Sequence, residues 1–233
     1  MICAKKQAPS PNKSIWDFPE DELPEGPECR IKDGLILALV RFGRSLIKNE
    51  FETPDEIFHP QFTSIFESGS DAMRLSLFSA FTDWIHFDHA IDEEGRTVAD
   101  LYQIRKKLQM TGLQKQVLKK MREAVVDLYE VQALYPGKGM VLRCLDDGKL
   151  VEVIEMTGSR TLKRSALVAC RPWLFDGAHR ISGSIYDFKP KHRHDVEKAI
   201  ALLLDKGLRH GRNWRERFFP EMFRLWVEKN VKD

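Results

Sequence analysis

The sequence predicts an α+β fold: a helical N-terminal part, a small five-stranded antiparallel barrel-like unit, and C-terminal helices that pack back on it. Two features point there. Between Leu128 and Phe188 the apolar residues come in short runs of β-formers, among them Tyr129, Val131, Val141, Leu142, Val151, Val153, Ile154, Leu167 and Val168. Turn signals cut that stretch at PGKG (136–139), DDGK (146–149), TGS (157–159) and FDG (175–177), leaving five strands. Five strands in so short a stretch close on themselves, because closure removes exposed edges. On either side of this island the apolar spacing is helical.

Residues 1–28, rich in proline and charge, read as an extended arm pinned to the body by Trp16 and Phe18. Residues 29–127 form the helical part. From Arg30 to Asn49 the apolar positions cover most of a helix, and Arg41, Arg44 and Lys48 leave a narrow wet stripe. Thr53-Pro54-Asp55-Glu56 is a capping box that starts a helix running to about Phe66. Ser70 caps the next helix, whose stripe of Leu77, Phe81, Trp84 and Ile85 leads on to Asp88. Thr97 with Asp100, and Thr111 with Gln114, open two more helices. The barrel-like unit spans 128–188, and 189–233 is a basic helical tail. One helix there runs from His194 to Lys206 with Gly207 at its C′ position. Asn213 caps a second, and Pro220 divides it.

With 37 Lys and Arg against 35 Asp and Glu, the net charge of +2 is small for a nucleic-acid protein. Cys3, Cys29, Cys144 and Cys170 form no CxxC pair and have no histidine at zinc-finger spacing, so no zinc finger is expected. The start MICAKKQAPSP lacks the apolar core of a secretory signal, and no run reaches the roughly 18 apolar residues of a membrane span. The expectation is a cytoplasmic protein of bacterial style, without cofactor and without a membrane partner.

Metal-ligand residue types crowd DWIHFDHAIDEE, and His86, His89 and Asp92 are the metal candidates there. On a helix, however, His86 and His89 share one face and Asp88 and Asp92 another. The i, i+3 pair is not the i, i+4 pair of a zincin helix, so no metal site is expected. Asp88 continues the apolar stripe, so its carboxylate is expected to be buried and to need donors. The nearest are Arg96 and the free N–H groups at the start of the Thr97 helix. Gly137-Lys138-Gly139 sits between strands and reads as a hairpin turn, not a phosphate loop.

Charge is concentrated further on. From Lys189 to Arg217 nine lysines and arginines face four acidic residues, a formal +5, with Trp214 interleaved. The residues singled out for nucleic-acid contact are Lys189, Lys191, Arg193, Arg209, Arg212, Trp214, Arg215 and Arg217, with Lys163, Arg164 and Arg171 from the β stretch. Basic residues with aromatics beside a small barrel suit single strands or RNA.

An ordered series of residues is shared with other proteins: Trp84, Phe87-Asp88, Gly95-Arg96-Thr97, Leu101-Tyr102, Tyr129-Glu130-Val131, Gly137-x-Gly139, Ser159-Arg160-x-Leu162, Arg171 and Ser182-Gly183. It resembles an uncharacterised bacterial family whose members often end in a short Cys-rich zinc motif of the SEC-C type, over roughly residues 75–185. The chain has no CxC and no terminal Cys/His cluster, so the resemblance implies no zinc here. It implies a shared architecture, and it includes Asp88 while leaving out His86 and His89. The functional expectation is a non-enzymatic binding or adaptor protein that contacts nucleic acid or a protein through its basic tail. The alternative is a metal-dependent or acid–base enzyme built on Asp83–Asp92.

Overall fold

The structure is a computed structural model that describes residues 25–49, 70–205 and 212–231. Trp16, Phe18 and the helix expected from Thr53 to Phe66 lie outside the described residues.

Helix α1 (Pro27–Asn49) begins three residues before the expected Arg30. Its first N–H groups have a donor's usual need for an acceptor. The acceptor is far away in sequence: the Asp176 carboxylate takes Glu28 N at 3.2 Å and Cys29 N at 3.1 Å. Glu28 returns the contact by accepting from Asp176 N at 2.6 Å, and it also holds Lys120 Nζ at 2.6 Å. The arm expected over 1–28 therefore gives way to helix by Pro27. Helix α2 (Asp71–Phe87) is capped by Ser70, whose Oγ accepts from Met73 N. Capping boxes at Thr97 and Thr111 open α3 (Val98–Lys106) and α4 (Gly112–Glu123).

The β unit consists of β1 (Asp127–Tyr135), β2 (Gly139–Cys144), β3 (Leu150–Ile154), β4 (Leu167–Phe175) and β5 (Ala178–Phe188). They close into a barrel in the order β1-β2-β3-β5-β4. The expectation of a purely antiparallel unit needs correction, because β3 and β5 run parallel. A parallel neighbour requires a crossover, which β3 makes through α5 (Met156–Thr161) and β4. The TGS segment, expected as a turn, is part of that helix; Glu155 caps it by accepting from Thr157 N and Gly158 N. One parallel pair and a helix between β3 and β4 give the plan of an OB-type barrel.

Apolar residues collect in three clusters. Tyr129, Val131, Met140, Leu142, Val153 and Val168 fill the barrel. On the outside, Leu128, Leu167, Tyr186 and Phe188 meet Leu77 and Trp84 of α2 and the last helix. Trp173 and Phe175, near the end of β4, meet α1 and α4. Strands β1, β4 and β5 are thus covered on both faces, which explains why their apolar runs lack a clean alternation.

A single 3₁₀ turn (Pro190–His192) leads into α6 (Arg193–Asp205), and α7 (Arg212–Val231) follows. The division expected at Pro220 does not occur: α7 runs through it. An interior proline costs about 3 kcal/mol. Phe218 and Phe219 before it, and Met222 and Phe223 after it, are all buried in one cluster. Each contributes about 1.5–3 kcal/mol on burial, so packing on both sides of the proline outweighs its cost.

Phe223 lies against Tyr186, Phe219 and Trp226 with ring centroids 5.5–6.3 Å apart. Phe223→Ala is expected to cost about 3–5 kcal/mol. Leu108→Ala, at a residue 99% exposed, should stay within about 0.5 kcal/mol of the parent. Urea denaturation of the two variants checks the contrast.

Candidate functional site

Two charged assemblies stand out. The first lies where α2 meets the barrel. Arg171, in the middle of β4, is 1% exposed. Its Nη2 pairs with the Asp88 carboxylate at the C-cap of α2, and its Nη1 donates to Ala124 O at 2.7 Å. Its Nε lies 3.5 Å from Asp83 Oδ2, and the guanidinium sits over the Phe87 ring, 5.6 Å from its centroid. Asp83 in turn accepts from Ser182 Oγ of β5 at 2.8 Å. Gly183 beside it has φ +65°, and a Cβ there would come 2.6 Å from Ser79 Oγ, so the residue type is fixed by both backbone and space. Burial works against the charge of Arg171, but Asp88 and Asp83 outweigh it, and its pKa is raised. Arg171, Asp88 and Ser182 are buried, Asp83 is partly so, and together they bolt α2 to β4 and β5.

Sequence proximity suggests Arg96 and Thr97 as the partners of Asp88, but the structure gives it Arg171. Arg96 is taken by a nearer acceptor, Asp92, which receives Arg96 N at 2.8 Å and Nε at 2.6 Å. Thr97 N is taken by Asp100. The metal candidates diverge. His86 Nδ1 lies 2.5 Å from Thr82 O, and burial lowers its pKa. His89 stacks on Trp84 at 4.3 Å. Asp92 serves Arg96. Among the described residues no group of three or more His, Cys, Asp or Glu is placed to hold a metal ion.

The second assembly is at one end of the barrel. Glu130 of β1 is buried and accepts from Arg143, from Arg193 Nη1 at 2.8 Å and from Gln132 at 2.9 Å. Arg193, then Arg143, holds the Glu130 carboxyl down to about 2. Arg193 also reaches Ser165 O at 3.5 Å, while Ser165 N donates to Val131 O. The α5–β4 loop is thereby held against the turn before α6. Lys163 and Arg164 of that loop, and Lys189 and Lys191 of that turn, are exposed. The β1–β2 turn is fastened to α5 and the residue before it: Gly137 N donates to Ser159 Oγ at 3.0 Å, and Glu155 N to Lys138 O at 3.1 Å.

The residues singled out for nucleic-acid contact thus divide. Lys163, Arg164, Lys189 and Lys191 are exposed, in two chain segments that Arg193 ties together through Ser165 O. Arg217 is exposed on α7. Arg171 is removed from the set, because a sealed guanidinium cannot meet a phosphate. Arg209 lies outside the described residues, as do the side chains of Arg212, Trp214 and Arg215. The signal for both missed hubs was present as a charge inside an apolar β run: Arg171 in VACRPWL and Glu130 in LYEV.

An open groove of about 690 Å³ lies between the loop 90–96 and α3, with Arg96, Arg105, Glu93 and Glu94 on its walls. A second cavity of about 90 Å³ beside His86 is lined mostly by apolar side chains, among them Val40, Phe81 and Ile85. Neither gathers carboxylates and histidines in a catalytic arrangement.

A family model described as a family of unknown function, DUF7986, matches residues 73–229. That span runs from α2 through nearly all of α7 and contains both assemblies. No curated protein and no solved structure matches the chain.

Two measurements probe these assemblies. Asp88→Ala leaves a buried guanidinium short of a carboxylate and should cost about 3–5 kcal/mol in urea denaturation. Glu130 has a depressed pKa in the folded state, so its stabilisation is present above about 4.5 and is lost as pH falls towards about 2. Glu130→Gln should lower the melting temperature above about pH 4.5 and flatten its fall on the acid side, where the variant and the parent converge.

Proposed function

This chain belongs to the DUF7986 family, and we propose that it is a non-enzymatic binding module that takes the phosphate backbone of a nucleic acid on the basic end of its barrel. The observation that carries the reading is the Arg193 bracket. By joining Glu130, Ser165 O and Glu197, it ties together the chain segments that carry the exposed Lys163–Arg164 and Lys189–Lys191. Glu130 spends its charge on Arg143 and Arg193 and leaves the lysines to face solvent. Clustered cations raise the local concentration of a polyanion even where net charge is near zero. Barrels of this plan also hold oligonucleotides, which supports the reading by analogy of fold.

The enzyme alternative places its chemistry on Asp83–Asp92. In that stretch Asp83 and Asp88 are engaged by Arg171, and Asp92 by Arg96. Each of these carboxylates is already paired with an arginine that holds elements together, which favours the binding reading.

The test is binding of a short labelled oligonucleotide followed by anisotropy over a range of salt. The logarithm of the binding constant should fall linearly with the logarithm of salt concentration. Replacing Lys163, Arg164, Lys189 and Lys191 by alanine should weaken binding and lower that slope by about one for each phosphate left without its cation. Binding that is indifferent to salt and to this variant overturns the proposal.

A further inference from the structure

We propose that the cavity beside His86 is a binding site for a small apolar molecule that carries one hydroxyl group, of the size and chemistry of a phenol. The site shares no residue with the basic segments, so its ligand is independent of any nucleic acid.

Helices α1 and α2 form the walls, and the start of α3 closes one side. Val40 and Gly43 come from α1, Phe81, Ile85 and His86 from α2, and Val98 from α3. Ile85 and Val98 are buried, whereas Arg44 and Phe78 of the same lining are exposed, so the cavity reaches the surface on their side. Its volume of about 90 Å³ is several times the roughly 10–15 Å³ that one water needs. It is well below the roughly 300–1,000 Å³ of pockets for drug-sized ligands, which excludes a nucleotide.

His86 gives this apolar space its one specific contact. The residue is 6% exposed. Its Nδ1 lies 2.5 Å from Thr82 O, which can only accept, so Nδ1 carries the proton. Burial lowers the pKa of the ring, which is therefore neutral at pH 7 and has Nε2 as a bare acceptor. Among the described residues nothing donates to Nε2. The Leu39 carbonyl beside the ring is itself an acceptor and cannot serve it. The ring edge with Nε2 faces Gly43, another wall of the cavity: a Cβ on Gly43 would come 3.1 Å from Nε2 and 3.7 Å from Cδ2. A hydroxyl in the cavity donates to Nε2 while the body of the ligand lies against Val40, Phe81 and Ile85. A carboxylate offers no donor, and an ammonium group would bring an unpaired charge among apolar walls.

The experiment uses phenol and toluene, which have nearly the same shape and of which only phenol can donate. In titration calorimetry the wild-type chain should bind phenol about tenfold more tightly than toluene, the ratio that one net hydrogen bond supplies. Gly43→Ala should bind phenol about tenfold more weakly than wild type, because the added methyl takes space between Nε2 and Val98 Cγ1, 3.1 and 3.3 Å from it. Alanine suits a helix better than glycine, so this variant should stay folded. His86→Leu should bind phenol and toluene alike, and circular dichroism shows whether it is folded. If it is not, the wild-type ratio and the Gly43→Ala result decide. Absence of phenol binding to the wild type, or unchanged binding by Gly43→Ala, overturns the site. Toluene binding as tightly as phenol overturns the recognition of a hydroxyl by His86.

Discussion

The pairing of Arg171 with Asp88 and Asp83 is the constraint on which the other contacts depend. A guanidinium with almost no solvent exposure has to be neutralised where it stands, since an unpaired buried charge costs several kcal/mol, a large share of a small protein's stability margin. Both carboxylates come from the C-terminal end of α2. That end of α2 must therefore lie against β4, and its remaining side chains follow. Trp84 and Leu77 enter the cluster shared with Tyr186 and Phe188, Phe87 slides under the guanidinium, and Gly183 lets β5 pass close to Ser79. The pair need not add net stability over a well-packed apolar substitute. What it adds is uniqueness, because only one placement of α2 satisfies both carboxylates and the Ser182 hydroxyl.

A similar device operates at the other end of the barrel, with the roles of charge reversed. There one buried carboxylate, Glu130, gathers two arginines from β2 and from the start of α6. Arg193 then reaches on to the loop before β4. At the first assembly the central charge is sealed inside with Asp88, and Asp83 is only partly exposed. At the second the centre is sealed but its arginines are half-exposed and stand among exposed lysines. Interior neutralisation builds the frame in both cases, and only the second leaves an excess of one sign at the surface. The α1 contact with Asp176 is a third instance, in which a carboxylate on the β4–β5 turn supplies the cap that the helix does not carry in its own sequence. These contacts cross between helices and barrel, so the two parts share cores.

Local chemistry was readable wherever a structure is set by neighbours in the chain. The capping boxes at Thr97 and Thr111, the Ser70 cap and the span of the β island all follow from residues within a few positions of one another. The burial of Asp88 was readable too, from its place on the stripe of Leu77, Phe81, Trp84 and Ile85. Its partner was not, because Arg171 is 83 residues further on and Arg96 was the candidate in reach. Pro220 misled for a related reason. The local rule gives the cost of an interior proline, but the gain comes from four large side chains packed on distant strands.

What the sequence determined by itself is the five strands, the capping of the helices α2, α3 and α4, and the presence of charges in apolar runs that must be neutralised. The energies responsible act over one or two turns of chain, so spacing alone carries them. What only the tertiary structure decided is which charge neutralises which, that β3 and β5 run parallel, and that Arg171 is buried while Lys163, Arg164, Lys189 and Lys191 are exposed. Those outcomes depend on the closure of the barrel. Closure brings Glu130, Ser165 and Arg193 together from three separate stretches of chain, and no periodicity within any one of them encodes the other two.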